Sequence, residues 1–280
     1  PGRVKSDLRV NELYVLGAGD LPDWVQRWRP TPEKADLLLV VAHPDDEFLF
    51  MGGIVPYYAG ELGRHVLVAF ITESSEQRRS ELLDGLWAAG LREYPLHGVF
   101  YDRFSTKLSD AYKKLGEKKT RAYMVRLFRQ YRPDVIVTHD ANGEYGHAVH
   151  KLCADVVRRA AKDAADPKKD KPSAKQFGVW DAPKVYLHLH AENAVRMDWR
   201  RPLPRFGGRS ALEMAAVGFS YHLSQQQTRY RVEDGGPYDN AVFGLIHTRV
   251  GADVSRDDLF EHLPQAASFA EETASAGDGG

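Results

Sequence analysis

A histidine, a proline and three consecutive carboxylates follow directly on an apolar run near the beginning of the chain. Residues 37–47 read Leu-Leu-Leu-Val-Val-Ala-His-Pro-Asp-Asp-Glu. An apolar run this short is typical of a strand that is buried on both faces of a parallel sheet. In open α/β sheets, ligands bind just beyond the carboxyl ends of such strands. We therefore expect His43, Asp45, Asp46 and Glu47 to lie at a functional site.

The spacing of these residues suits a metal ion. If a helix starts at Pro44, where a missing N–H is harmless, His43 and Asp46 share one face and can converge on one ion. Imidazole and carboxylate are ligands of zinc and its neighbouring divalent ions, and a catalytic zinc takes three protein ligands. Asp45 would point away from this pair but stay near a metal-bound water, where a general base is needed.

The third ligand must come from another loop at the same edge of the sheet. Residues 138–150 follow a second apolar run and contain His147 and His150, which are again three residues apart at the expected start of a helix. Either histidine could complete the site. Taken alone, an acidic run usually marks an exposed helix start, and His-x-x-His usually marks a surface face. Two such clusters, each directly after a strand of the same predicted sheet, indicate a metal site much more specifically than either cluster alone.

The elements needed to bring these loops together can be read from the pattern of apolar residues. Five short apolar runs alternate with segments in which apolar residues recur at helical spacing. This alternation predicts an α/β fold with a mostly parallel, Rossmann-like sheet between two helical layers. The predicted strands are 37–42, 66–71, 99–101, 135–138 and 185–189. The predicted helices are 52–62, 77–89, 117–131 and 148–164.

Composition limits the function further. The chain has 280 residues, of which 43% are hydrophobic, and a net charge of −1, so bulk electrostatics favour neither nucleic acid nor anionic membranes. No apolar stretch reaches the roughly 18–20 residues of a membrane span. One cysteine, Cys153, excludes an intrachain disulfide and a cysteine-rich zinc site. We expect a soluble cytoplasmic protein; export remains an alternative because the chain starts without Met.

We expect a single domain over residues 1–263. The segment 163–175, rich in Lys, Asp and Pro, is interpreted as an exposed excursion within that domain. Residues 264–280 are expected to form a flexible tail. The sequence gives no indication of the oligomeric state.

Together, the two clusters resemble a known family. Ala42-His-Pro-Asp-Asp-Glu47, followed by Gly52-Gly53 and a later Gly146-His-x-x-His150, is similar to the PIG-L (LmbE-like) family of zinc-dependent de-N-acetylases. The resemblance covers roughly residues 36–190. It implies an LmbE-like domain that removes an acetyl or related acyl group from an N-acetylated sugar or glycoconjugate, by attack of a zinc-bound water. The partner would be that small carbohydrate substrate, and the cofactor Zn²⁺ or another divalent ion such as Fe²⁺.

The resemblance also assigns roles to residues. His43, Asp46 and His150 would be the zinc ligands, Asp45 the general base, and His147 the group that polarises the carbonyl or protonates the leaving amine. Weaker matches imply substrate contacts by three further residues. These are Arg78, Tyr145 and Asp102.

The second motif departs from the family pattern at one position. Many members read Gly-His-Pro-Asp-His, whereas Val149 stands here in place of the Asp that would orient the first histidine. A carboxylate partner is what would favour a charged His147. Asp140 and Glu144 are the candidates to replace that Asp.

Other functions were weighed on the sequence. A dinucleotide-binding module is disfavoured, because Gly17-Ala-Gly19 is a poor match to its glycine motif. A phosphoesterase would more often use two metal ions. A metal-dependent amidase for non-sugar amides and a non-catalytic carbohydrate-binding protein remain alternatives; the latter would not need Asp45. The pair His188 and His190 is expected to be structural.

Overall fold

One six-stranded sheet forms the centre of the computed structural model, which describes residues 13–22 and 25–264. Its strands are β1 (Leu37–Val41), β2 (Val66–Phe70), β3 (Val135–Thr138), β4 (Lys184–His188), β5 (Ala194–Arg196) and β6 (Val242–Thr248). Their order across the sheet is β2-β1-β3-β4-β6-β5. Strands β1 to β4 run parallel to one another, while β6 runs antiparallel to both β4 and β5. The predicted α/β fold with a mostly parallel sheet is confirmed.

Helices cover both faces of this sheet. They are α1 (Asp46–Leu49), a π-helical segment (Val55–Glu61), α2 (Glu76–Ala88), α3 (Leu108–Leu115), α4 (Glu117–Tyr131), α5 (Ala148–Ala165), α6 (Lys171–Phe177) and α7 (Ala211–Ser220). Leu37, Leu39 and Val41 pack into the core under α1, α2 and α7. Leu38 and Val40 face the opposite core, under α3, α4 and α5. Side chains of a strand alternate between its faces, so the wholly apolar β1 follows from burial on both sides.

One predicted strand is wrong. Residues 99–101 form no strand; Phe100 makes a single parallel bridge to Thr72, and Leu96 makes another to Ala69. The backbone here runs beside the end of β2, with hydrogen bonds such as Leu96 N–H to the Val68 carbonyl and Phe100 N–H to the Ile71 carbonyl, but these form isolated bridges and not a continuous ladder. Val99 and Tyr101 are left exposed.

The other predicted strands and helices differ from the observed ones mainly at their ends. Strands β1 to β4 and helices α2, α4 and α5 lie within one or two residues of their predicted bounds, whereas 52–62 contains a π-helical segment. Sequence reasoning missed α3, α6, α7, β5 and β6. Strands β5 and β6 form the antiparallel side of the sheet. Strand β5 has only three residues, and β6 was missed although residues 242–246 are apolar apart from Gly244.

The segment 163–175 joins α5 to α6. It exposes Pro167, Lys168 and Lys169, while Asp163 and Ser173 are buried. The single domain over 1–263 stays a prediction, and residues 265–280 of the predicted tail lie outside the described residues. Among the helices of the described residues, none combines the length and the apolar character needed to cross a membrane.

Candidate metal centre

The turn after β1 is fixed by hydrogen bonds within five residues. The His43 backbone N–H donates to Asp46 Oδ2 at 2.8 Å, and the Asp45 N–H donates to Glu47 Oε2 at 2.8 Å. Asp45 has a φ of 118°, a region that residues other than glycine rarely adopt. Such a conformation costs about 1–3 kcal/mol and persists only where its surroundings enforce it. The turn therefore presents His43, Asp45 and Asp46 in a fixed arrangement.

Glu47 supports this turn from inside the protein. Its side chain is fully buried, and its second oxygen, Oε1, lies 3.1 Å from Nε2 of the buried His222 at the end of α7. Glu47 thus bonds the Asp45 backbone and His222. Of the four polar residues expected at the functional site, Glu47 has a structural role.

The second loop connects β3 to α5. Its backbone takes three positive φ angles, at Gly143 (67°), Tyr145 (47°) and Gly146 (78°), and so turns sharply before the helix. His147 caps the helix, because its Nδ1 accepts the Val149 N–H at 3.2 Å. His150 lies in the first turn of α5 and is fully buried.

The two loops bring His43, Asp46 and His150 together. Asp46 Oδ2 lies 3.3 Å from His43 Nδ1 and 3.4 Å from His150 Nε2. Nitrogen and oxygen ligands about 2.0–2.2 Å from a tetrahedral zinc lie about 3.3 Å apart, so these atoms fit a shared ion. Grouped by ligand atoms within 4.8 Å of one another, His43 falls with His147 and His150, and Asp46 with His139 and His150. The ligand set that the resemblance implied, His43 with Asp46 and His150, stays a prediction.

His147 lies beside this group. The rings of His43 and His147 have centroids 4.8 Å apart, and one potential ligand atom from each of His43, His147 and His150 falls within 4.8 Å of the others. Because His147 Nδ1 accepts a backbone N–H, a neutral His147 carries its proton on Nε2. Burial, with His43 and His150 nearby, lowers the pKa of His147 to about 3. His147 therefore faces the site as a neutral donor.

The three proposed ligands differ in protonation. Burial would raise the pKa of Asp46, but His150, His139 and His43 hold it well below its usual value. Burial lowers the pKa of His150, which leaves it neutral. Burial would also lower the pKa of His43, yet hydrogen bonds to Asp102 and Asp46 raise it to about 9.

A further histidine, His139, was missed by sequence reasoning. It is fully buried, stacks on His150 with ring centroids 4.1 Å apart, and could form a second ligand set with Asp46 and His150. Its Nε2, however, accepts the Ala42 N–H at 3.0 Å, which leaves no free lone pair for a metal there. A signal was present, since His139 directly follows β3.

Asp102 lies behind His43. Its Oδ2 is 3.0 Å from His43 Nε2 and 3.9 Å from His147 Nε2, and its side chain is 22% exposed. A carboxylate on the far nitrogen of a ligating histidine fixes its tautomer and leaves Nδ1 for the metal. Within the described residues, Asp102 Oδ1 is buried and without a hydrogen bond. Its predicted substrate contact thus stays a prediction, with Oδ1 as the free atom.

Asp45 lies next to Arg78. Burial and the neighbouring Asp46 raise the pKa of Asp45 to about 7, while Arg78 opposes the rise. Arg78 Nη2 lies 3.4 Å from Asp45 Oδ2 and also donates to the Pro44 carbonyl. Arg78 therefore lines the site rather than forming a surface ion pair.

Tyr145 closes another side of the site. Its hydroxyl lies 3.5 Å from His150 Nε2, and its ring stacks on Tyr230 with centroids 4.6 Å apart. Tyr230 comes from a region far along the chain in which sequence reasoning found no signal.

Among the described residues, neither candidate for the missing carboxylate has a side-chain hydrogen bond to the His147 ring. Asp140 accepts the Asn142 N–H, and Glu144 bonds instead to His139, His150 and His188. Asp102, at 3.9 Å, is the carboxylate paired with His147. Val149 itself is buried in the core under α5.

Comparison with known proteins gives a consistent result. A family model described as PIG-L, GlcNAc-PI de-N-acetylase, matches residues 38–161. The 1D-myo-inositol 2-acetamido-2-deoxy-alpha-D-glucopyranoside deacetylase 2 of Saccharopolyspora erythraea is 31% identical over 83% of this chain and 89% of its own length. The corresponding deacetylase 1 of Catenulispora acidiphila is 34% identical over 57% of each chain, so this chain matches little more than half of that relative.

A solved structure shares the fold. The N,N'-diacetylchitobiose deacetylase of Pyrococcus horikoshii superposes with a TM-score of 0.50, covering 68% of this chain and 71% of its own. The sequence identity is 18%, so the likeness concerns the fold alone.

Proposed function

The chain belongs to the PIG-L family, and we propose that it is a divalent-metal-dependent hydrolase that removes the acetyl group from an N-acetylated sugar. The observation that carries this proposal is the convergence of two histidines and a carboxylate from two strand ends. Asp46 Oδ2 lies within 3.3–3.4 Å of one nitrogen on each of His43 and His150. The residue before Asp46 is Asp45, a second carboxylate, whose pKa is raised.

His43, Asp46 and His150 would hold the metal, and we propose zinc. Two imidazoles and one carboxylate suit zinc, with ferrous iron as the other ion compatible with this set. A divalent ion bound here supplies a Lewis acid that polarises a carbonyl and makes a coordinated water more acidic.

Asp45 would act as the general base. Its carboxylate accepts a proton from the attacking water and can pass that proton to the amine when the carbon–nitrogen bond breaks. A pKa near 7 suits both steps, because proton transfer in each direction then costs little. Arg78 holds this carboxylate from one side.

His147 and Tyr145 would stabilise the oxyanion. His147 Nε2–H and the Tyr145 hydroxyl both face the group of proposed ligands, where the amide oxygen would gain negative charge. Donors placed in advance at such an oxygen stabilise the transition state by several kcal/mol.

The proposed substrates are 2-acetamido-2-deoxyglucosides. The deacetylases of Saccharopolyspora erythraea and Catenulispora acidiphila carry such a substrate in their names. Phe104 supports the assignment of a sugar as the substrate. Its side chain is 69% exposed, and its ring centroid lies 5.2 Å from that of His147, so a sugar face could stack on it. Asp102, whose side chain is 22% exposed beside His43 and His147, could accept a sugar hydroxyl there.

The test is an acetate-release screen over N-acetylglucosaminides and simple non-sugar acetamides. It uses protein stripped by a chelator and then reloaded with Zn²⁺ or Fe²⁺. We expect acetate release from the glucosaminides only after reloading, and release by Asp45→Asn that is slower by about 10²- to 10⁴-fold.

Release from non-sugar acetamides alone would favour the amidase alternative. Binding of the sugars without release would favour a carbohydrate-binding protein. Undiminished release from the stripped protein would contradict the proposed mechanism.

A further inference from the structure

The carboxylate of Glu144 contacts three histidines, one of which is the proposed metal ligand His150. Its side chain is fully buried, and so are those of His139, His150 and His188. Glu144 Oε2 lies 2.6 Å from His139 Nδ1 and 2.8 Å from His150 Nδ1, while Oε1 lies 2.6 Å from His188 Nδ1. One carboxylate thus bonds the same ring nitrogen of three different residues.

These contacts determine where the histidine protons are. An ionised carboxylate can only accept hydrogen bonds, so each of the three Nδ1 atoms must carry a proton. His139 accepts the Ala42 N–H on Nε2 and is therefore neutral. His150 keeps its Nδ1 proton on Glu144, so Nε2 is its nitrogen left to bind a metal, and it lies 3.4 Å from Asp46 Oδ2.

His188 differs from the other two histidines. Its Nε2 lies 3.0 Å from the Asp239 carbonyl oxygen, which is also only an acceptor. Both ring nitrogens of His188 must then donate, which makes it an imidazolium. A buried carboxylate needs a compensating charge, and His188 provides it directly against Oε1.

We propose that Glu144 is a positioning residue for the metal ligand His150, holding it in the tautomer whose Nε2 lone pair faces the metal, and that cationic His188 keeps Glu144 ionised for this purpose. This inference rests on the metal site of the proposed function. It extends that site by two residues, neither of which would touch metal or substrate.

A glutamine in place of Glu144 has nearly the same shape, but only one of its two terminal atoms can accept a hydrogen bond. Its amide has one acceptor and one NH₂ group, and the NH₂ can only donate. If the NH₂ faces His139 and His150, their Nδ1–H groups have no acceptor. His150 could then bond the amide only by moving its proton to Nε2, where the proton would block the metal. If the NH₂ faces His188, the imidazolium loses its charge partner.

The test is the affinity for Zn²⁺, measured by competition with a chromophoric chelator and therefore independent of any substrate. We expect Glu144→Gln to bind Zn²⁺ about 10- to 100-fold more weakly than the original chain, the usual cost of removing the partner of a ligating histidine. The matched control is Glu192→Gln, which makes the same change at an exposed residue. It should bind Zn²⁺ like the original chain.

Equal affinity in Glu144→Gln and the original chain would overturn the inference while leaving the metal site intact. Failure of the original chain to bind any divalent ion would instead overturn the proposed function. The two failures are thus distinguishable.

A second measurement does not require the variant to fold. Nitrogen-15 spectra of the imidazoles in the metal-free original chain report which ring nitrogens carry protons. We expect protons on both nitrogens of His188 and only on Nδ1 of His150. A neutral His188, or a His150 protonated at Nε2, would overturn the proposal.

Discussion

The two loops that form the metal centre are built in different ways. Residues 43–47 form one turn, held by hydrogen bonds between the residues of the turn itself. Residues 139–150 form a longer loop, and their polar side chains are held by contacts to β1, β4 and each other. Nearly all of the first arrangement is local in sequence, while the second depends on the assembled sheet.

The same contrast applies to the two histidine ligands proposed here. Each has a carboxylate on its far nitrogen, Asp102 behind His43 and Glu144 behind His150. Asp102 is 22% exposed and Glu144 is fully buried. The His43 side of the site is thus open to solvent and substrate, whereas the His150 side is closed. A partly exposed carboxylate can contact substrate, whereas a fully buried one can only support the ligand.

The first loop is proposed to supply both a general base, Asp45, and a metal ligand, Asp46. Variants that remove these two functions separately should give the largest effects. Asp45→Asn should lower kcat about 10²- to 10⁴-fold, the usual contribution of a general base, while Zn²⁺ affinity stays near the original. Asp46→Ala should lower Zn²⁺ affinity more than about 100-fold, because a ligand is lost. Acetate release and chelator competition measure the two quantities.

Asp257→Asn, an exchange at an exposed aspartate, is the control for both variants. If Asp45→Asn lost Zn²⁺ as severely as Asp46→Ala, the division of labour within this turn would be wrong.

The pH dependence of metal binding distinguishes the open side of the site, at His43, from the closed side, at His150. In the metal-free protein the pKa of His43 is about 9, whereas burial keeps His150 neutral. Below pH 9 a metal must therefore displace a proton from His43 but none from His150. Zn²⁺ affinity should rise up to about tenfold per pH unit between pH 7 and 9, and then level off.

This dependence is measured by chelator competition at several pH values, corrected for the chelator's own protonation. A slope of two protons per metal would mean that His150 also binds a proton, and the contrast between the two ligands would fail.

The two supporting carboxylates can be compared through their amide variants. Asp102→Asn should weaken Zn²⁺ binding about tenfold or less, because its amide oxygen can still accept the His43 Nε2–H. Glu144→Gln should cost more, since its amide cannot satisfy three donors. Chelator competition on both variants under one condition gives the ranking, and the reverse order would contradict the assignment of open and closed sides.

The smallest expected effect concerns the backbone of the second loop. Gly143 and Gly146 both have a positive φ, but a Cβ at Gly143 would lie 2.6 Å from the His147 carbonyl oxygen, and one at Gly146 would meet nothing within 4 Å. Gly146→Ala should lower the free energy of unfolding by about 1 kcal/mol, the cost of the left-handed conformation alone. Gly143→Ala should lower it by about 2–3 kcal/mol, because a steric clash is added.

Urea unfolding of both variants measures the difference. Equal values would indicate that the loop relaxes freely, which would argue against a rigid His150 side.

Much of the parallel sheet could be predicted from the sequence. Strands buried on both faces need continuous apolar runs, and β1, β2, β3 and β4 carry them. The stretch at 99–101 has the same character but makes only a single bridge, because apolar composition alone does not specify pairing. Strand β5 is only three residues long, and β6 was missed although it begins with an apolar run, because such a run alone does not distinguish a strand from other buried segments.

By itself, the sequence determined which residue types follow the strands and how far apart they lie. Such local patterns placed His43 and Asp46 on one turn and His147 and His150 on another. The tertiary structure decided the partners: Asp102 rather than Asp140 or Glu144 beside His147, Glu144 beneath His150, and His188 and His222 behind two buried carboxylates. These contacts join residues from separate elements, and hydrogen bonds depend on distances and angles that only the packed sheet fixes.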